Sequence, residues 1–403
     1  LAIRAVKGHC RAVALSPDQE VDAWAASGAM ALTATPGGQP VGPPRGLVPK
    51  LQAVAALLAD RAAGLGGSLH LDPLVLLGER AALTQLPRGG VVSCGGGTHL
   101  LPSGPRWLAV TLARLADEEM VPAWLELDEP VDHLWDVVAD ALARRPVDDL
   151  VERAILLGLP IGLLPETPPA VPTVGGLPLL RVPVSASSPV AHRLAGLRVV
   201  DLSSLWAGPL CASLLAQAGA PVLKVESATR PDGARRGPVT FFNLLNARKQ
   251  SEMVDLRCGE GVSRLHELVA TADIVIEGSR PRALEQLGIR AREVLATGRP
   301  RVWASITGHG REGPGRERVA FGDDAAVAGG LVGWSDHRPL FCGDAIADPL
   351  TGIVAAAGIL DAVAAGGRWL LDISMAQVAA HFSGLPISLA GWHGEAAPPR
   401  PRA

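Results

Sequence analysis

Few residues in this chain combine a reactive type with a telling setting. Asp348 stands in Ala347-Asp-Pro-Leu-Thr-Gly352, directly ahead of the apolar run Ile353-Val-Ala-Ala-Ala-Gly-Ile-Leu360. A carboxylate there can cap the helix that follows, with Pro349 in its first turn. Read alone, that capping role is the favoured one, although a carboxylate can also attack an acyl carbon. Arg230, Arg235, Arg236, Arg248 and Lys249 all follow runs with strand character, where cations and backbone N–H groups meet phosphates. On exposed loops the same side chains are ordinarily solvated surface. Trp206-Ala-Gly-Pro209 closes the first such run, the place where an open α/β sheet takes its ligands, and Ala207 and Gly208 allow a backbone or ligand to come close. A tight turn with a core Trp explains the same four residues equally well.

Other reactive types are less informative. Gly95-Gly-Gly97 and Gly308-His-Gly310 match neither a P-loop nor a dinucleotide fingerprint. His99, His309 and His337 have no second His or Cys at ligand spacing, so no metal site is expected. Five scattered cysteines without CxxC spacing argue against a disulfide framework. The 37 basic and 40 acidic residues nearly cancel, which leaves no electrostatic footprint for nucleic acid or an anionic membrane. No apolar h-region stands out in residues 1–19, and no stretch is read as approaching the ~20 apolar residues of a membrane span. A cytoplasmic protein is the expectation.

The elements that must position these groups can be read from periodicity. With no Tyr and few other aromatics, the core has to be aliphatic with Trp as its large anchors. Leu197-Arg-Val-Val-Asp-Leu202 reads as a strand, Leu210 to Gln217 as a small-residue helix, and Ala220 to Glu226 as a second strand, a β-α-β crossover that implies parallel pairing. A helix at Gly261 to Ala270, a strand at Asp273 to Glu277, a helix near Arg282 to Leu287 and a strand at Arg301 to Ile306 continue the alternation. The fold class is therefore α/β, a doubly wound, Rossmann-like parallel sheet.

At 403 residues the chain is too long for one ordinary core. Four segments are expected: a unit over 1–164, a Pro/Ser/Gly-rich linker over 165–193, the sheet unit over 194–384, and a flexible tail over 385–403. The two units also share an internal repeat. Asp22-Ala-Trp-Ala-Ala-Ser-Gly28, Ala53 to Asp60 and Leu69-His-Leu-Asp72 match in order Asp324-Ala-Ala-Val-Ala-Gly-Gly330, Ala355 to Asp361 and Leu370-Leu-Asp372.

The second unit resembles the class III CoA-transferase family, which includes formyl-CoA transferase, carnitine CoA-transferase and α-methylacyl-CoA racemase. A series of short matches in order carries the resemblance: Leu197-Arg-Val-Val-Asp-Leu-Ser203, Trp206-Ala-Gly-Pro209, Gly219-Ala-Pro-Val-Leu-Lys-Val-Glu226, Asn246-Ala-Arg-Lys-Gln-Ser251, Ala272-Asp-Ile-Val-Ile-Glu277, Ile306-Thr-Gly-His-Gly310 and Ala347-Asp-Pro-Leu-Thr-Gly352. The first unit resembles the closing half of the same pattern, through Gly95-Gly-Gly-Thr-His99 to Gly158-Leu-Pro-Ile-Gly162. The closing half thus precedes the sheet half, as in a rearrangement of two partial copies that complete one fold or pair across a dimer.

The resemblance implies a CoA-transferase with Asp348 as nucleophile, acyl-CoA and a carboxylic acid as substrates, and an interlocked homodimer. Coenzyme A would be held by Trp206, Ala207, Gly208, Arg230, Arg235, Arg248 and Lys249, with Lys249 matching the family's Asn-x-x-Lys-x-Ser element. The first copy has no Asp or Glu between Pro36 and Ala59, so only the second could carry the nucleophile. The chain departs from the family at Glu277-Gly-Ser-Arg-Pro-Arg282, which lacks an Asn and an aromatic that typically contact CoA, and at Ser227, often Arg. A racemase of this family pairs a His with its Asp, but Phe321-Gly322 occupies that place and leaves Asp323 as the substitute base. A third reading is a non-catalytic member that serves as a binding partner or scaffold.

Overall fold

The computed structural model describes residues 15–128, 132–167, 176–185 and 193–402. Strands β1 (Thr98–Ser103), β2 (Arg106–Thr111) and β3 (Ile161–Leu164) form a small antiparallel sheet in the order β1-β2-β3. Next along the chain come β4 (Leu180–Ser185), β5 (Val199–Asp201), β6 (Val222–Ser227), β7 (Gln250–Val254), β8 (Ile274–Glu277) and β9 (Val302–Thr307). An antiparallel hairpin of β10 (Val332–Ser335) and β11 (Arg338–Phe341) precedes β12 (Arg368–Ser374).

Seven of these strands make the main sheet, in the order β4-β12-β9-β8-β5-β6-β7, and all pair in parallel except the edge strand β4. After the edge strand β4, the chain enters the parallel part of this sheet in its middle, at β5. From β5 it winds outward to β6 and β7, then returns to the other side for β8, β9 and β12. Strand β5 therefore borders the switch point, where a crevice opens at the carboxyl ends of the strands.

Strand composition follows from burial on both faces. All four residues of Ile274-Val-Ile-Glu277 are buried, as expected for parallel strands covered by helices above and below. Alternate residues feed opposite cores. Ile274, Ile276, Ala304 and Ile373 face one core, while Val200, Val275, Trp303 and Leu370 face the other with Leu265, Leu268 and Leu295.

The first core is shared by both halves of the chain. Leu47, Leu51 and Leu58 from the Leu47–Gly64 helix belong to it together with Ile353, Ile359 and Leu360 from the Ala347–Ala365 helix. Arg61 Nε and Asp361 Oδ1 link the two helices at 3.0 Å. The helices that contain the middle pieces of the expected repeat thus lie side by side. The Ala347–Ala365 helix is long and apolar enough to cross a membrane by length and composition, which corrects the expectation that no such stretch exists. Its place between the sheet and the Leu47–Gly64 helix explains its apolar character on nearly every face.

Two other segments differ from expectation. Leu180–Ser185, within the stretch read as linker, pairs antiparallel to β12 and closes one sheet edge; the rest of that stretch lies partly outside the described residues. The tail packs rather than frays. Ala397 donates its N–H to the Ala25 carbonyl at 2.9 Å, and Arg402 Nε lies 3.4 Å from the buried Glu79 carboxylate.

Candidate active site

The crevice beside β5 is framed by buried ion pairs. At the end of β5, the Asp201 carboxylate accepts from Lys249 Nζ at 2.8 Å, from the Ser203 N–H at 3.0 Å and from the Ser203 hydroxyl. Lys249 also donates to the Pro209 carbonyl and to Asn246 Oδ1, each at 2.9 Å. Its three donors are therefore all used inside the protein. Lys249 is thus not the open cation expected from the sequence; it fastens the loop after β5 to the start of the next helix.

A second pair sits next to the first. Lys224 Nζ lies 2.8 Å from Asp232 and donates to the Ser203 carbonyl at 3.0 Å. Asp232 Oδ1 accepts the Leu205 N–H at 2.9 Å. Leu205 adopts φ +71°, a left-handed conformation costly for a branched side chain. The loop from Ser203 to Trp206 is consequently held in one shape by four charges. Trp206 is buried, meets Phe241 edge-on at 5.3 Å and carries Arg80 over its ring at 5.3 Å.

That loop delivers the Ala207–Gln217 helix to Asp348. The backbone N–H of Ala207 donates to the Asp348 carboxylate. Gly208 lies so near Ser203 that a Cβ would overlap its side chain, and a Cβ on Gly352 would meet the Ala207 carbonyl at 2.8 Å. Small residues at both places let the two helices start against each other. Asp348 itself is in the first turn of the Ala347–Ala365 helix, partly exposed in an otherwise dense surround. Opposite it, Gly322 leaves room for the carboxylate that any Cβ would fill.

Asp348 has charged neighbours. Asp344 is fully buried and binds Arg80 through both carboxylate oxygens, one at 2.9 Å from Nε. Asp323 accepts the Ala345 N–H at 3.0 Å and bonds the Ser93 hydroxyl. Ala345 has φ +43°, so strained backbone stands on both sides of the site. Burial, reinforced by Asp323 and Asp344, raises the Asp348 carboxyl to about 7 against the pull of Arg80 and the Ala207 N–H. Burial and Asp344 raise Asp323 to about 6. A carboxylate so poised is half ionised near neutrality and poorly solvated, which favours nucleophilic use over a purely structural cap.

The remaining expected residues lie farther out. Arg235 grips Glu226 through Nε and a terminal nitrogen at 2.9 and 2.6 Å, and covers the Phe242 ring. Arg230 and Arg248 are exposed. Arg230 shares a cationic neighbourhood with Arg114, Arg280 and Arg282, whose repulsion adds to burial in lowering Arg280. A cavity of about 100 Å³ is lined by Lys224, Arg235, Phe242, Asn246, Lys249 and Ser251. Glu277, which begins the segment departing from the family pattern, is buried against Trp303 Nε1 at 2.8 Å and Arg311. Sequence reading missed Arg80, Asp344 and Ser93. Only the nearby Gly95-Gly-Gly97 run hinted that this part of the first unit approaches the site.

The model of CoA-transferase family III matches residues 194–401. The chain belongs to CoA-transferase family III. Among curated proteins, this family member is 34% identical over 180 residues to succinyl-CoA–D-citramalate CoA-transferase of Chloroflexus aurantiacus, covering 42% of this chain and 45% of that protein. It is 30% identical over 207 residues to succinate–glutarate CoA-transferase of Agrobacterium fabrum, covering 46% and 51%. A crystal structure of a CAIB/BAIF family protein from Brucella suis is 32% identical with a TM-score of 0.42, covering 46% of this chain and 54% of that one. The family III chain spans about half the length of the curated relatives it matches.

Proposed function

We propose that this family III protein moves CoA between an acyl-CoA thioester and a carboxylic acid, with Asp348 as the nucleophile. The observation that carries the reading is a partly exposed carboxylate held by the Ala207 N–H at the switch point of the sheet, where burial raises it toward neutrality. The Asp348 carboxylate attacks the thioester carbonyl, the C–S bond breaks, and CoA thiolate leaves a mixed anhydride. The thiolate attacks the aspartyl carbonyl and expels the donor carboxylate, which leaves an aspartyl-CoA thioester. The acceptor carboxylate then attacks that thioester and releases CoA thiolate, which takes the acceptor acyl group and frees Asp348. No net proton or redox partner is consumed.

Binding would use the outer residues. Arg230, Arg248 and the cations around Arg280 would face the phosphates of CoA, with Arg235 and the small cavity beside it at the nucleotide end. The names of the relatives support dicarboxylates such as succinate as the substrate class. A cytoplasmic location and a homodimer complete the proposal. The four described cysteines are unpaired, in keeping with a reducing compartment.

The test is to incubate the protein with succinyl-CoA and other donors and to seek hydroxylamine-sensitive mass on the Asp348 peptide. An adduct lost in Asp348→Asn supports the mechanism. No adduct with any donor, together with unchanged function of Asp348→Asn, leaves the scaffold reading. The closeness of Asp323 to Asp348 favours a second activity, α-proton exchange. Deuterium uptake by an α-methylacyl-CoA, lost in Asp323→Asn, distinguishes it.

A further inference from the structure

The corner around Asp348 gathers three carboxylates, Asp323, Asp344 and Asp348, and one guanidinium, that of Arg80. Asp348 and Asp323 belong to helices of the second unit, and Asp344 to the loop between them. Arg80 comes from the Glu79–Thr84 helix, more than two hundred residues earlier in the chain. Its side chain remains 27% exposed while the partner Asp344 is fully buried, so the guanidinium joins a buried acid to a partly exposed edge.

We propose that Arg80 is a positioning residue for the nucleophile: clamped by Asp344 and stacked on Trp206, it is the shared counter-ion of Asp348 and Asp323, supplied by the N-terminal unit. This rests on the reading of Asp348 as nucleophile. The two-point bond to Asp344 fixes the plane of the guanidinium, and the Trp206 ring supports one face. What remains of its charge is directed at Asp323 and Asp348, both within electrostatic reach. Arginine suits the task because it stays charged in a dehydrated setting, where a lysine ammonium would tend to neutralise. Arg80 is the cation that acts on Asp348, beside Asp323, Asp344 and the Ala207 N–H. Cys94 lies close to Arg80, Asp323 and Asp344, and burial with those two acids keeps its thiol neutral. Glu79 is engaged by Arg402 instead. The consequence is that the sheet unit alone holds an incomplete site: three acids without their cation.

The experiment follows the Asp348 carboxyl directly, by ¹³C NMR of the full chain labelled at aspartate carboxyls and assigned with Asp348→Asn, alongside pH–rate profiles of CoA transfer. In Arg80→Gln the Asp348 midpoint should rise by about one pH unit or more, and transfer at pH 7 should fall about fivefold or more, recovering as pH rises. Arg80→Lys should restore part of the shift. Arg80→Gln with Asp344→Asn should shift less than Arg80→Gln alone, since a repelling acid is removed with the cation. An unmoved midpoint in folded Arg80→Gln, or in Arg80→Lys if the first variant fails to fold, overturns the proposal. The titration needs no turnover, so a wild-type chain that transfers no CoA counts against Asp348 as nucleophile and leaves the Arg80 result readable by itself.

Discussion

The Asp348 carboxylate accepts the backbone N–H of Ala207, so the first turn of one buried helix holds a carboxylate on the first turn of another. Both helix starts carry partial positive charge, which favours an anion between them. The contact depends on glycines at 208, 322 and 352, each of which lacks the atom that would force the partners apart. Several consequences can be measured.

Gly322→Ala places a methyl where Asp348 Oδ2 and the Ala345 carbonyl now lie. Overpacking of this kind costs about 1–3 kcal/mol, and a displaced nucleophile loses roughly a hundredfold in rate for an error near 1 Å. Urea midpoints and initial rates should show a modest stability loss beside a large loss of transfer. A variant with the wild-type rate would mean that the carboxylate does not need its observed place.

Lys249→Met leaves Asp201 buried without the ammonium that bonds it at 2.8 Å. Breaking a buried pair by removing one partner costs about 3–5 kcal/mol. Lys224 also acts on Asp201 and will offset part of this. The expected signature is a large fall in unfolding free energy. A stable variant with only a raised KM for acyl-CoA would return Lys249 to a ligand-binding role.

Asp324 is buried, accepts Thr111 Oγ1 and the Phe321 N–H at 2.9 Å each, and has one oxygen without a partner. Burial raises its carboxyl from 3.8 to about 7. The folded state therefore holds this proton more tightly than the unfolded chain, so its contribution is full below pH 3.8 and is lost as pH rises to about 7. Removing the titration with Asp324→Asn should flatten the decline of stability across that window, by an amount on the order of a few kcal/mol. Thermal melts from pH 4 to 8 check this, and parallel curves for the two proteins would refute it.

Glu79 is likewise raised to about 7 by burial, with Arg402 pulling in the opposite direction. In Arg402→Gln the carboxyl loses its counter-charge and its folded value climbs further. Stability lost by the wild type between the ordinary glutamate value and about 7 will go on being lost at higher pH in the variant. The gap between the two proteins should widen from pH 6 to pH 8; a constant gap would assign Arg402 a packing role alone.

Much of the main sheet was legible because its central strands are short β-branched runs separated by helical stretches. Val222–Ser227, Ile274–Glu277 and Val302–Thr307 fall within a residue or two of the runs read from sequence. Gln250–Val254 was not singled out, since an edge strand of mostly exposed residues carries no hydrophobic signature. Leu180–Ser185 was hidden by the prolines and serines around it, although an edge strand tolerates Pro183. At the candidate site, Asp348, Trp206, Ala207 and Gly208 were singled out through short motifs and the family resemblance. Arg80 and Asp344 were not, because an ion pair across 264 positions leaves no trace in local spacing. The bonds of Lys249 to Asp201, Pro209 and Asn246 were not legible, since direction of a side chain cannot be read from the motif that contains it.

The paired helices carry one last implication. Val48 and Pro49 are the second and third residues of the Leu47–Gly64 helix, as Asp348 and Pro349 are of the Ala347–Ala365 helix, and Val48 is fully buried. The start of one helix thus offers hydrocarbon where the start of the other offers a carboxylate. A titration of covalent adduct against protein should accordingly reach a plateau at one equivalent per polypeptide, whatever the excess of donor.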